Sequence, residues 1–169
     1  MMRKFLLFLL TIGLSMCQLS ANGKTRFKID AERQVFATRS ASEGTKMVRV
    51  VACGSTAEKA IEQAMCDAVA AISFTGAKGE GEMDAIPPVL KDGREQYTKH
   101  KKEFNKFFNK GTYLNYVSRV NSTYPAGKDN IKTSKGRKVQ VYLIVDWATL
   151  AKYFKDAGFQ TTISGLTNF

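Results

Sequence analysis

Histidine, cysteine and acidic residues are all scarce in this chain of 169 residues. It has one histidine, three cysteines and 15 acidic residues against 26 basic ones. Each shortage removes a class of chemistry. His100 stands among lysines with no Cys, Asp or Glu at ligand spacing, so a zinc site is not expected, nor any other metal or cofactor. Ser55 stands at the start of a helical pattern, but Gly-x-Ser-x-Gly is absent and no histidine is placed to partner it. Cys53 has no Cys-x-x-Cys companion, and the glycines of 76–93 are followed by no Gly-Lys-Ser/Thr. Glu80, Glu82 and Asp84 cluster in one loop, whereas glycoside hydrolysis needs carboxylates opposed across a cleft. No catalytic residue is assigned. The reading is a non-enzyme, with an enzyme acting on cell-wall polymers as the alternative.

Long apolar runs are lacking too, with one exception. Arg3 and Lys4 precede the apolar Phe5–Leu14, and a short polar stretch ends at Ala21. That order is expected of a secretory leader over 1–21, too short to span a bilayer. Leu14-Ser15-Met16-Cys17 offers a competing lipid-anchor site, with Met16 where a small residue is usual. The expected location is periplasmic or outer-membrane-associated. Loss of Arg3 and Lys4 leaves 24 basic against 15 acidic residues, a charge of +9. Such a surface either keeps the protein soluble or meets an envelope protein or an anionic envelope polymer; nucleic acid is not favoured.

What the chain has is pattern. Val48, Val50 and Val51 mark a strand, Gly54 a turn, and 55–74 a helix with Ser55 as cap and Glu58 completing a capping box. Ala57, Ile61, Ala64, Met65, Ala68, Val69 and Ile72 recur on one face, and Gly76 supplies a left-handed stop. Ala64 and Ala68 are the expected close contacts with the sheet. Cys66 falls off that stripe beside Lys59 and Glu62. It lies too far from Cys53 to be bridged to it, because eleven helical residues rise about 15 Å. Two free thiols are expected.

Residues 22–45 read as a polar arm or linker in which Val35–Thr38 forms either an edge strand or part of the arm. The domain proper spans 46–159, with an insertion at 76–111. That insertion holds a mobile loop over 76–93 and then one basic helix, capped by Asp92 and Glu95 and ended by Gly111. A strand over Tyr113–Tyr124, a polar connection over Pro125–Gly136 and the apolar strand Lys138–Val145 follow. Asp146 caps a last helix, Trp147–Ala157, and 160–169 is a tail. The fold class is α+β: a small antiparallel or mixed sheet with the long Ala-rich helix and the C-terminal helix on one face.

Gly54, the helix bearing Ala57, Ala60, Ala64, Ala68 and Ala71, the strand Val139-x-Val141-x-Leu143, and Asp146 with Leu150 together resemble the amino-terminal domain of the flagellar assembly protein T. They also resemble the related small LPP-type envelope lipoproteins. The resemblance spans about 47–158 and implies an envelope assembly and binding module with no catalytic residues to carry over. The candidate polyanion contacts are Lys99, Lys102, Lys106 and Lys110 on the basic helix, with Lys128, Lys132, Lys135 and Arg137 in the strand connection.

Overall fold

The structure, a computed structural model, describes residues 27–40 and 42–162. The leader and the Cys17 site lie outside them. These residues form four helices and a six-stranded mixed sheet, so the α+β expectation holds.

The central pair is β2 (Thr45–Gly54) and β6 (Gly136–Asp146), antiparallel and in register from Thr45–Asp146 to Gly54–Arg137. Both alternate with period two. Val48, Val50 and Ala52 of β2 and Val139, Val141, Leu143 and Val145 of β6 turn to the buried side. Strand β1 (Gln34–Ser40) pairs antiparallel with β2, so Val35–Thr38 belongs to the sheet. A two-residue β3 (Lys78–Gly79) runs parallel to β1. The far edge of β6 is shared by β4 (Val117–Arg119) and β5 (Asn130–Thr133).

Between β2 and β3 the long helix α1 (Ala57–Phe74) lies across the buried face. Ala60, Ala64, Ala68 and Ala71 are fully buried. Gly54 shows why the approach is close: a Cβ there would stand 2.3 Å from the Ala60 backbone nitrogen. The helix cap differs from expectation by one residue. Thr56 rather than Ser55 is the N-cap, its Oγ1 accepting from Lys59 N at 3.3 Å. Gly76 ends α1 as expected, at φ +77° with its N–H on Ala71 O.

The stretch expected as a mobile loop is pinned. Val89 and Leu90 are fully buried, and their N–H groups donate to Ile72 O and Ser73 O at 2.8 and 3.0 Å. Those are C-terminal carbonyls of α1 that no helical residue can satisfy. The following segment ties this region to the tail, since Gln96 Nε2 donates to Gln160 O at 2.6 Å and Gln96 Oε1 accepts from Gln160 N at 2.8 Å.

The basic helix is two helices, α2 (Gly93–Lys99) and α3 (Lys101–Asn109), broken at His100 with φ −122° and ψ 36°. Asp92 does not cap α2; it is left-handed and makes no side-chain cap bond. The break turns Phe104, Phe107 and Phe108 into the core. Phe104 lies 5.0 Å from Phe74 and 5.8 Å from Phe154, and Phe154 belongs to α4 (Trp147–Asp156). Asp146 caps α4 as expected, accepting from Thr149 N at 3.0 Å.

The long strand expected over Tyr113–Tyr124 is only β4, preceded by a 3₁₀ turn at Thr112–Tyr116. Strand alternation would put Tyr113 and Tyr116 on opposite faces. The three-residue turn puts both on Phe107 and Phe108, with centroids 5.8 and 5.9 Å apart, and aromatic burial decides the conformation.

Candidate functional site

All eight predicted cations are placed, and they form two groups rather than one. Lys99, Lys102, Lys106 and Lys110 are exposed along the outer side of α2 and α3 and just beyond. Lys99 is already paired with Glu95 at 2.6 Å. This group sits at the C-terminal end of α1, because Phe74 is the residue that Tyr97 and Phe104 pack on. Lys132 and Lys135 are exposed on the β5–β6 hairpin and Lys128 on the 3₁₀ turn Gly127–Asp129 that precedes it, and Arg137 is half-buried, donating to Asn130 Oδ1 at 3.5 Å. Arg137 pairs with Gly54, so the hairpin stands at the opposite end of α1. An 18-residue helix is about 27 Å long, well beyond the roughly 8 Å over which exposed charges interact at physiological salt. The two groups act separately.

The hairpin itself also carries Lys138, directly opposite Ile131, whereas Arg119 stands on β4 opposite Leu143, about 20 Å along β6 from the Lys132–Arg137 pair. Between residues 111 and 145 the chain has six basic residues, the three lysines and Arg137 joined by Arg119 and Lys138, and one acidic residue, Asp129. Asp129 is occupied by Gln140, whose Nε2 donates to its Oδ1 at 3.0 Å. Among the described residues none of these six cations takes part in an ion pair. Lys138 was missed because it opens the most apolar strand of the chain, which reads as the middle of a sheet.

The opposite face of the sheet carries no second layer among the described residues. It presents Phe36, Met47, Arg49, Val51, Gln140, Tyr142 and Ile144, all half-buried except Tyr142, which is exposed. Arg49 organises the middle of it. Its Nε donates to Glu80 Oε2 at 2.8 Å, a second guanidinium nitrogen bonds Glu80 Oε1, and Nη1 donates to Gln140 Oε1 at 2.8 Å. The guanidinium also stacks over Phe36, 4.5 Å from its centroid. The Arg49 bond holds the Glu80 carboxyl below its ordinary range. A glycosidase acid needs the reverse shift.

Inside the molecule one ion pair stands apart. Arg33 Nε lies 3.4 Å from Asp67 Oδ1, and both side chains are largely buried. The guanidinium is otherwise spent on the carbonyls of Lys28, Ile29 and Ala31. Burial pushes the Asp67 carboxyl up to about 6, against the opposing pull of Arg33 and Gln63. Beside it a cleft of about 380 Å³ runs between Arg33, Val35 and the Ile86–Pro88 stretch, floored by Ala71 and Thr75.

Two cysteine expectations are corrected. Cys53 is disulfide-bonded, not free, whereas Cys66 is free, so the two are not bridged to each other. The distance argument excluded Cys66 as the partner and decided nothing else about Cys53. Cys66 is also buried, rather than on an outer face. Burial pushes its thiol well above the ordinary range. His100 packs edge-on against Phe159 at 5.0 Å. Among the described residues no three His, Cys, Asp or Glu side chains gather as a metal site would require. Comparison with protein-family models, with curated proteins and with solved structures finds no match for this chain.

Proposed function

We propose that this is an exported, non-catalytic binding or assembly module of the cell envelope, periplasmic or outer-membrane-associated, that attaches to an anionic envelope polymer. The observation that supports it is the segregation of charge: six cations and one acid over 111–145, with the cations outside every ion pair among the described residues. Exposed charges acting together give salt-sensitive attachment, where a single one gives almost none. The resemblance to the flagellar assembly protein T domain is in keeping with a module that works by contact. The contact residues of this reading are Lys128, Lys132, Lys135 and Lys138, with the helix lysines Lys99, Lys102, Lys106 and Lys110 as a solvated surface.

Binding to isolated lipopolysaccharide and to cell-wall preparations at low and high salt tests it. Lys128, Lys132 and Lys135 changed together to Gln should abolish the salt-sensitive part, whereas Lys99, Lys102, Lys106 and Lys110 changed to Gln should leave most of it. Equal binding by wild type and the hairpin variant at every salt concentration would overturn the reading.

A further inference from the structure

We infer that Cys53 is joined by a disulfide to Cys17, and that the exported chain therefore begins at Met16, its leader removed after Ser15; this rests on the export part of the reading above and fixes where the mature chain starts. A count of sulfurs leads there. The sequence holds three cysteines, Cys17, Cys53 and Cys66. Cys53 is disulfide-bonded and Cys66 is free. Within one chain the remaining cysteine is Cys17, which lies outside the described residues.

Cys53 is placed to take such a partner. Strand β2 alternates, with Val48, Val50 and Ala52 turned to the helix layer, so Cys53 lies with Met47, Arg49 and Val51 on the other side, opposite Lys138. That side meets no second layer among the described residues, which leaves the sulfur open to an amino-terminal segment. The reach is sufficient. The described chain begins at Phe27, stacked on Phe108 at 3.9 Å and on Phe74 at 5.7 Å, at the C-terminal end of α1. Cys53 stands just before the other end of that helix, which is about 27 Å long. The residue steps from 17 to 27 span up to about 33–36 Å.

A disulfide at Cys17 discriminates among the processing sites. Cleavage after Ala21 discards residue 17. A lipid anchor occupies the same sulfur as a thioether and leaves no thiol to oxidise. Cleavage after Ser15 keeps the thiol, and it puts Gly13 and Ser15 at the −3 and −1 positions, where the later site has Leu19 and Ala21. Leader cleavage favours small residues at both, and Phe5–Ile12 remains an apolar stretch of leader length. The bond also needs an oxidising compartment, which export provides. Joining two thiols releases two protons and two electrons. A protein disulfide of the envelope takes up both electrons and becomes a dithiol.

Mass spectrometry of the full chain, expressed with its leader, recovered from a native envelope fraction and kept unreduced, tests the inference. After free thiols are alkylated and the chain is cut with trypsin, peptide 16–24 should be joined to peptide 50–59, and Cys66 alone should be alkylated. Reduction should separate the pair. A mature chain beginning at Asn22, a lipid on Cys17, alkylated Cys17 and Cys53, or peptide 50–59 joined to a second copy of itself would each overturn the inference and leave export standing. An intact Met1 would overturn export itself, and the start at Met16 with it. Thermal unfolding gives a second readout. Cys17→Ser, Cys53→Ser and the double variant should lower Tm by the same amount, and reductant should bring the wild type down to them. Losses that add in the double variant would show two cysteines acting independently and would overturn the bond.

Discussion

The α2–α3 surface and the β5–β6 hairpin are built from the same ingredients and end up as opposites. Over 93–110 there are six basic and two acidic residues among four aromatics. Over 111–145 six basic residues and one acidic residue stand among tyrosines and aliphatics. In the helices the 3.6 period sorts the two kinds of side chain, and the apolar side finds Phe74, Phe154 and Phe27 waiting for it. The hairpin also sorts its side chains to two faces. One of those faces meets no layer among the described residues, and Ile131 is exposed there beside Lys138. A basic and apolar stretch is therefore a solvated face or a contact surface according to whether its apolar side is already taken.

The comparison breaks first if the α2–α3 aromatics are not truly committed to the core. Phe104 is fully buried and rings with Phe74, Phe154 and Phe159, the last at 4.7 Å. Phe104→Ala should cost about 3–5 kcal/mol, read by denaturant unfolding. A loss below about 1 kcal/mol would mean that this helix surface holds apolar residues in reserve, as the hairpin does.

Much of the covered side was legible. The strand-and-helix pairs β2–α1 and β6–α4 follow from period, and Asp146 and Gly76 mark their ends in the expected way. Local signals failed where two candidates stood side by side. Ser55 and Thr56 both carry a hydroxyl, and the Ser-x-x-Glu spacing favours the first. The chain uses the second, and Glu58 then hydrogen-bonds to Thr56. Other failures were tertiary. Cys66 falls off the apolar stripe and is nevertheless buried, and Asp67 is paired by Arg33 from a distant segment. Lys138 and Ile131 acquire meaning only once the pairing of β5 with β6 sets them side by side on one face of the sheet.

Asp67 tests the covered side by charge rather than by volume. Its carboxyl rises from 3.8 to about 6 because burial disfavours the ion more than Arg33 favours it. The folded state therefore holds a proton that the unfolded state has released between those values. Asp67 adds stability that is full below about 3.8 and lost as pH rises through about 6. Glu58, Glu80 and Glu95 are lowered and work in the other direction, so the wild type must be read against Asp67→Asn. The difference between the two should move in favour of the wild type by up to about 3 kcal/mol on going from pH 7 to pH 4. Movement the other way would show that the Arg33 pair outweighs burial, and that the 27–33 segment is held by charge.

The smallest expected effect falls on the uncovered side. Ile131 is 51% exposed, so little transfer free energy is lost when its outer methyl groups are removed. Threonine preserves the β-branch that suits an edge strand, which separates loss of apolar surface from loss of strand propensity. Ile131→Thr should leave unfolding free energy within about ±0.5 kcal/mol of wild type. The same experiment that measures Phe104→Ala measures this, and the contrast between the two variants is the quantity of interest. A loss of 2 kcal/mol or more, comparable to a core truncation, would mean that something in the folded chain covers this face. The apolar side chains of the hairpin would then be core like those of α2 and α3, and none would be left over as contact surface.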